Sequence, residues 1–313
     1  MTTPVRAAAY SHMEFRLPLP FGERCRTAIR SNAIALALAA VLAATFLAAH
    51  GAPAQEQPLR TGIDATFAPH AMPKLTGGIE GFNVDLANEI ARRLGRKLDI
   101  EATQFSGLVP GLQAGTYDFL AAPVTANKER AENLLFTEGY INTDFQLVTK
   151  KDTPDIGSLA EIKGKTISVN KGSTYDLWAR EQAEKIGWTV ESYGTTPDAL
   201  QAVTSGRAYA MLLGNTAAAW AAKSNPALKL SYVYSTGLVF AIPVRKDNVM
   251  LRDEIDRAIE CMKRDGDVAK LHEKWFGAKP APDSAAITIY PGYGVPGMPG
   301  YDPTPHELTC RSF

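Results

Sequence analysis

Apolar residues change between strand-like and helix-like spacing along most of the chain. Residues 59–63 form a short apolar run that predicts a strand. Leu86, Ile90 and Leu94 then recur at helical spacing, and Gly95 is placed to end that helix because glycine tolerates a positive φ. The pattern therefore begins as a strand followed by a helix.

Strands and helices continue to alternate downstream, on both sides of Lys150. Further strands are expected at residues 98–101, 117–122, 166–169, 209–213 and 238–244. Further helices are expected at residues 105–114 and 175–186, from Thr196 as N-cap to Gly206, from Asn215 as N-cap to Lys223, and in two final segments before Gly277. This alternation predicts an α/β fold whose mainly parallel sheets carry helices on their faces.

The N-terminal region has the parts of a secretory signal peptide. Basic residues precede an uncharged, Ala/Leu-rich run at residues 33–49, and Ala52-Pro53-Ala54 fits a peptidase site. The sequence predicts removal of residues 1–54 and a periplasmic mature protein. An uncleaved membrane anchor is the alternative, since the run approaches the length of a membrane span. The start codon is either Met1 or Met13.

Charge is balanced, with 33 Lys+Arg and 33 Asp+Glu among 313 residues. A nucleic-acid-binding surface needs a clustered basic excess, so no nucleic-acid partner is expected. The histidines are scattered, and neither a metal site nor a cofactor is expected.

The C-terminal segment, residues 280–313, is rich in Pro and Gly and has too few apolar residues to build its own core. Two cysteines of the mature chain, Cys261 and Cys310, would lie in an oxidising compartment after export. A disulfide between them is predicted, and it would hold this tail against the rest of the protein. The alternative is a buried thiol at Cys261 and a free one at Cys310.

A candidate anion site follows the apolar strand at residues 117–122. Thr125 and Arg130 lie after that strand, where a helix-like charged segment begins. A guanidinium offers two parallel donors that match a carboxylate, and a nearby hydroxyl can add a third. The alternative is a surface arginine next to a helix-capping threonine.

Four segments together resemble the periplasmic amino-acid-binding proteins of ABC importers, of the histidine-, lysine/arginine/ornithine- and glutamine-binding type. They are residues 62–69 (GIDATFAP), residues 81–86 (GFNVDL), Thr125 with Arg130 leading to residues 136–140 (FTEGY), and residues 171–175 (KGSTY). Their order and spacing match over roughly residues 59–276. Each motif is degenerate by itself, but the four in register are specific for the fold.

The resemblance implies a type II periplasmic binding protein fold with two α/β lobes joined by two hinge strands, near Val148 and Phe240. Lobe 1 is expected at residues 55–148 and 240–279, and lobe 2 at residues 149–239. The ligand would lie in the cleft, outside the carboxyl ends of the strands. The implied function is to capture a small carboxylate or amino acid and deliver it to a membrane permease, as a monomer.

The resemblance also assigns roles to particular residues. Arg130 and Thr125 are similar to the α-carboxylate clamp, and the backbone N–H groups of Gly172, Ser173 and Thr174 to its second-lobe partner at a helix N-terminus. The alternative for the second group is an ordinary helix cap.

Contacts to the rest of the ligand are considered at four further positions. Phe67 and Phe105 resemble the two walls that enclose the ligand side chain, although core packing is the alternative for both. Asp64 could hold a polar or cationic ligand group, or cap its loop. His70 could donate to a ligand oxygen or be structural.

One position departs from the family. An acidic residue after a second-lobe strand normally receives the α-ammonium of the ligand, and Gly214 stands there in this chain. Asn215 could accept a hydrogen bond from an ammonium, but more weakly than a carboxylate. The carboxylate half of the site is thus expected, and a ligand without an α-amino group is the alternative to an ordinary amino acid.

No catalytic motif is present in the sequence, and a non-enzyme is predicted. The alternative is an enzyme on the same scaffold, similar to the cyclohexadienyl dehydratases. Such an enzyme needs an acidic proton donor near the closing face, and Gly214 argues against it.

Overall fold

The structure is a computed structural model that describes residues 57–310. The predicted signal peptide, residues 1–54, lies outside the described residues. Within residues 57–310 no helix is both long and apolar enough to cross a bilayer.

Strands and helices alternate as the sequence predicts, but the structure has additional short strands at residues 72–73, 79–80, 124–125, 134–136 and 189–193. The strands are β1 (Leu59–Ile63), β2 (Met72–Pro73), β3 (Ile79–Glu80), β4 (Leu98–Ala102), β5 (Phe119–Leu120), β6 (Val124–Thr125), β7 (Leu134–Phe136), β8 (Ile141–Lys150), β9 (Thr166–Asn170), β10 (Thr189–Tyr193), β11 (Ala210–Gly214), β12 (Leu228–Ala241) and β13 (Pro243–Arg245). The helices are α1 (Phe82–Arg93), α2 (Phe105–Gln113), α3 (Lys128–Asn133), α4 (Thr174–Ile186), α5 (Thr196–Thr204), α6 (Asn215–Ser224), α7 (Val249–Arg264) and α8 (Asp267–Phe276), with a short 3₁₀ helix at Leu159–Ile162.

The strands form two main sheets, each with its own core. The first has the order β4-β1-β5-β13-β7, and the second has the order β10-β9-β11-β8-β12-β6. Phe82 and Phe119 are fully buried in the first core, and Phe145 and Leu147 in the second. Each sheet is parallel on one side and antiparallel on the other, because β13 and β7 in the first sheet and β8 and β12 in the second run against their neighbours. The fold is thus the two-lobed α/β arrangement expected of a type II binding protein.

Two of the connections between the sheets are neighbours in space, and the short strand β6 adds others, because it pairs with β12 of the second sheet while β5 and β7 belong to the first. Residues 137–140 connect β7 to β8, and Ile242 connects β12 to β13. The two crossings are hydrogen-bonded to each other, since the Thr137 amide donates to the Ile242 carbonyl at 3.0 Å and the Tyr140 amide to the Phe240 carbonyl at 2.9 Å.

Sheet membership moves the lobe division away from the expected residue 148. Val148 lies in β8, pairs with Met211 of β11 and packs in the second core. Residues 141–148 therefore belong to the second sheet, although the sequence pattern assigns them to lobe 1. The strand expected at residues 238–244 is likewise two strands, β12 and β13, which belong to different sheets. Phe240 does lie beside a crossing.

Two helix starts differ by one residue from the expected caps. Thr195, not Thr196, caps α5, because its Oγ1 accepts a hydrogen bond from the Asp198 amide at 3.3 Å. Gly214 is the N-cap of α6, and Asn215 is its first helical residue. The extended residue that precedes each helix takes the cap position in both cases.

The C-terminal tail packs on α7, and a disulfide joins Cys261 of this helix to Cys310, with 5.6 Å between their Cα atoms. This pairing is the one that the sequence predicts. Asp256, fully buried in α7, accepts a hydrogen bond from the Gly294 amide at 2.6 Å, and Lys263 donates to the Thr288 carbonyl at 2.8 Å. The tail thus uses the surface of the first lobe in place of a core of its own.

Candidate ligand-binding site

A small cavity lies between the lobes, at the carboxyl ends of β1, β5, β6 and β9. Its lining residues are Asp64, Phe67, Phe105, Pro123, Thr125, Arg130, Asn170, Ser173, Thr174 and Tyr175. Centres of water molecules can occupy only about 10 Å³ of it, which is about the space of one water. An amino acid is far larger, so its entry requires the lobes to part or a wall to move.

Arg130 lies in the first turn of α3, whose N-cap Asn127 accepts the Arg130 amide through Oδ1 at 2.9 Å. Its guanidinium donates to the Thr125 carbonyl at 3.2 Å and, across the cleft, to the Gly172 carbonyl at 3.3 Å. Among residues 57–310, no carboxylate oxygen lies within 4.0 Å of its guanidinium nitrogens. Burial lowers the pKa of Arg130 to about 10, so the group remains a cation at neutral pH. The guanidinium therefore has capacity left for an anion.

The turn between β9 and α4 forms the second-lobe wall of the cavity. Ser173 caps α4, because its Oγ accepts the Asp176 amide at 3.1 Å and donates to the Asn170 carbonyl at 2.6 Å. The Gly172 amide donates to Asp176 Oδ2 at 2.9 Å. Gly172 is therefore not a free donor for a ligand, contrary to the sequence expectation, and it contributes its carbonyl to Arg130.

Two buried polar atoms of the cavity wall have no hydrogen-bond partner within the described residues. They are Asn170 Oδ1 and Thr174 Oγ1, in residues that are 3% and 7% exposed. Buried polar groups are nearly always hydrogen-bonded, because an unsatisfied one costs about 1–3 kcal/mol. These atoms therefore mark positions at which a bound molecule would be held.

Asp64 faces the cavity from the loop that follows β1 and is 1% exposed. Its Oδ1 accepts from the Thr66 amide at 2.9 Å and from Thr66 Oγ1 at 2.6 Å. Its Oδ2 accepts from Asn170 Nδ2 of the second lobe at 3.2 Å. The carboxylate is thus held by neutral donors, and no basic side chain lies within ion-pair distance of it among residues 57–310.

Aromatic side chains form the apolar walls. Phe67 and Tyr175 have nearly parallel rings, with 6.5 Å between their centroids and 16° between their planes. Phe105 is partly exposed, and the Arg130 guanidinium carbon lies 5.6 Å from its ring centroid. Phe67 lines the cavity and also packs in the second core, so it combines the two roles that the sequence analysis gives as alternatives.

Tyr175 accounts for the glycine at position 214. A Cβ built on Gly214 would lie 2.5 Å from the Tyr175 phenolic oxygen and 3.4 Å from Phe240. Burial raises the pKa of Tyr175, so the phenol is neutral. An uncharged hydroxyl therefore lies next to the position at which the family has an acidic side chain.

Asn215 does not line this cavity, which corrects the sequence expectation. Its Oδ1 accepts from the Thr216 amide at 3.0 Å, and the residue borders a separate surface groove with Asn142 and His272. The reason is its place as the first residue of α6, one position beyond the strand end.

His70 is structural. Its ring is fully buried, with Nδ1 at 2.8 Å from Asn83 Oδ1 and Nε2 at 2.8 Å from Thr216 Oγ1 in the second lobe. Burial lowers the pKa of His70 to about 4, so the ring is neutral at neutral pH, and it donates through Nδ1 and accepts through Nε2. It joins the lobes beside the cavity and does not line it.

The structure thus brings Asp64, Thr125 and Arg130 together with seven other side chains, three of which the sequence pattern misses: Pro123, Asn170 and Tyr175. Asn170 is the last residue of β9, and the rule that ligands bind at the carboxyl ends of parallel strands could have identified it. Tyr175 directly follows the segment 172–174, but no local signal shows that its hydroxyl reaches Gly214.

Comparison with known proteins identifies the family. Residues 59–278 match the model of the bacterial extracellular solute-binding proteins, family 3. The chain belongs to this family, which confirms the resemblance found in the sequence.

Individual relatives agree with this assignment. The probable amino-acid-binding protein YxeM of Bacillus subtilis (strain 168) is 32% identical over 251 residues, which cover 78% of this chain and 93% of that protein. A solved structure of an ancestral arginine-binding protein bound to arginine is 35% identical, with a TM-score of 0.68, and the match covers 71% of this chain and 100% of the other. The ancestral amino acid-binding protein AncCDT-1, described as a precursor of cyclohexadienyl dehydratase, is 30% identical, with a TM-score of 0.66 and coverage of 70% and 95%.

Proposed function

We propose that this protein is the periplasmic substrate-binding component of an ABC importer. It captures a small carboxylated solute, an amino acid or a related organic acid, and delivers it to a membrane permease. The family supports the general role, and relatives named as amino-acid-binding or arginine-binding proteins support the ligand class.

The observation that carries the proposal is the Arg130 guanidinium in the interlobe cavity. It has no carboxylate partner among residues 57–310, and Thr125, Ser173 and Thr174 line the same space. A guanidinium presents two parallel N–H donors, and this geometry fits a carboxylate better than the donors of any other side chain do. A carboxylate between the lobes would also replace part of the Arg130 contact to the Gly172 carbonyl across the cleft.

Closure of the cleft accounts for capture. The two hydrogen-bonded crossings, residues 137–140 and Ile242, are the connections about which the lobes can rotate. Two hydrogen bonds between the lobes support closure, from Asn170 to Asp64 and from the Thr196 amide to Thr66 Oγ1 at 3.3 Å. Closure around a ligand removes water and strengthens the ion pair with its carboxylate.

Calorimetric titration of the mature protein tests the proposal, after a thermal-shift screen of amino acids, hydroxy acids, keto acids and aromatic acids. Arg130→Ala is expected to weaken the best ligand by about 2–5 kcal/mol, tens- to thousands-fold in affinity. Arg207→Ala is the control, because Arg207 is exposed and does not line the cavity. A folded Arg130→Ala variant with wild-type affinity, or no binding in the whole screen, contradicts the proposal.

The enzyme alternative has less support. Asp64 is the one carboxyl group among the residues that line the cavity, and both of its oxygens accept hydrogen bonds. A general acid must donate its proton to the substrate, and both oxygens of this carboxyl group already accept from neighbouring residues. Incubation of the protein with candidate cyclohexadienyl acids and chromatography of the products tests this alternative.

A further inference from the structure

Two opposite charges face the cavity between the lobes and do not pair with each other. Asp64 and Arg130 both line it, yet no ion pair joins them within residues 57–310. Asp64 is held by Thr66 and Asn170, and the guanidinium by backbone carbonyls. A charge removed from water without a counter-charge is costly, so each of the two calls for an opposite charge on the ligand.

The Asp64 end is arranged for a cation. Asn170 is 3% exposed and uses Nδ2 to bond Asp64 Oδ2, while its Oδ1 has no partner among the described residues. A carboxylate oxygen and an unpaired amide oxygen thus come from the same two contacting side chains. Both accept hydrogen bonds and neither donates at these atoms, so an ammonium or guanidinium fits them.

The remaining wall contains no second acid. Besides Asp64 and Arg130, the lining residues carry only hydroxyl, amide, aromatic or aliphatic side chains. The neutral Tyr175 hydroxyl fills the space beside Gly214, so no acidic side chain fits at that position without displacing it. An ammonium directly beside a carboxylate bound at Arg130 would therefore find no dedicated counter-charge there.

We propose that the ligand carries one carboxylate and one remote cationic group, as in an ω-amino or ω-guanidino acid, and has no α-ammonium. The carboxylate binds Arg130 and Thr125, the cation binds Asp64 and Asn170, and the connecting methylene chain lies along Phe67 and Phe105. The positive charge of such a ligand pairs with Asp64 and its negative charge with Arg130, so that every charge of the cavity wall has one partner. This assignment rests on the proposed function and specifies its ligand class.

Four five-carbon probes separate the two amino positions in calorimetric titrations. δ-Aminovalerate has only the remote ammonium, L-norvaline only the α-ammonium, L-ornithine both and valerate neither. δ-Guanidinovalerate and L-arginine repeat the comparison with a guanidinium. δ-Aminovalerate is expected to bind at least about tenfold more tightly than L-ornithine, and δ-guanidinovalerate than L-arginine. The reason is that burying one unpaired α-ammonium costs more free energy than a tenfold change in affinity represents.

The outcomes distinguish this inference from the general function. Tighter binding of L-ornithine and L-arginine than of their counterparts without the α-amino group overturns the inference and leaves the proposed function intact. Tightest binding by valerate or L-norvaline overturns it as well. If no carboxylate binds at all, both proposals are wrong.

Substitutions locate the effect in this site. Asp64→Asn is expected to weaken δ-aminovalerate about tenfold more than it weakens valerate, whereas Asp152→Asn, an exposed acid outside the cavity, should change neither. Gly214→Asp combined with Tyr175→Ser provides a carboxylate and the room for it, and should shift the preference towards L-ornithine. If Asp64→Asn weakens both probes equally while the protein remains folded, the cation does not bind there.

Discussion

Gly214→Ala tests whether the packing of Tyr175 leaves no room for a side chain at position 214. The added Cβ would lie 2.5 Å from the Tyr175 phenolic oxygen, well inside the roughly 3.5 Å of an ordinary non-bonded contact. Gly214 has φ −69° and ψ 142°, which any L-residue adopts, so the cost comes from this contact and not from the backbone. Tyr175 has little room to move, because it is 4% exposed and its ring centroid lies 5.2 Å from that of buried Phe145.

The expected magnitude follows from overpacking in a filled interior, about 1–3 kcal/mol of lost unfolding free energy. Tyr175→Phe removes the oxygen that the new methyl group meets. In that background Gly214→Ala should cost less than about 1 kcal/mol, so the two changes should show a coupling energy of at least about 1 kcal/mol.

Urea unfolding of the wild type, both single variants and the double variant gives this coupling. Gly107→Ala is the matched control, because Gly107 is exposed in α2 and its added Cβ would lie 3.8 Å from Thr103 Oγ1. It should be neutral or stabilise by up to about 1 kcal/mol, since alanine favours a helix. If the effects of Gly214→Ala and Tyr175→Phe on the unfolding free energy are additive, the contact with the phenolic oxygen is not the cause of the destabilisation.

Two further predictions concern stability. Reduction of the Cys261–Cys310 bond, or its replacement by two alanines, should lower the unfolding free energy by about 2–4 kcal/mol, measured with and without reductant, and an unchanged midpoint would contradict this. His70 has its pKa lowered from 6.5 to about 4 by burial, so the unfolded chain binds its proton first. The neutral, buried ring should therefore contribute about 3 kcal/mol to the unfolding free energy above pH 6.5, and this contribution should be lost as the pH falls towards 4. Urea unfolding across that range should show a smaller loss in His70→Gln, and equal losses in both proteins would exclude His70 as the source.

Local signals were sufficient for much of the first lobe and for the contact between Thr125 and Arg130. The apolar run at residues 59–63 coincides with β1, and the helical spacing of Leu86 and Ile90 coincides with α1. Thr125 and Arg130 are close in sequence, so a strand end followed by one helical turn is enough to bring them together. Neighbours along the chain are constrained by local backbone geometry, which the sequence pattern encodes.

The antiparallel part of the second sheet was harder to predict. β12 is 14 residues long, has register shifts in its pairing with β8, and is mostly half-buried or exposed. Its apolar and polar residues therefore do not alternate regularly, and only its buried end at Phe240 and Ala241 was evident. The assignment of β8 to this sheet depends on partners far along the chain.

The sequence by itself determined the family fold, the disulfide and the closeness of Thr125 and Arg130, because each depends on local spacing or on residue type. Only the tertiary structure decided how the rest of the site is composed. It placed Asn170 against Asp64, 106 residues away, filled the position beside Gly214 with the Tyr175 hydroxyl, and turned Asn215 out of the cavity. Asn170 and Asp64 lie on opposite lobes, and Tyr175 and Gly214 lie on different elements of the second lobe. No local pattern encodes the distance between side chains so far apart along the chain.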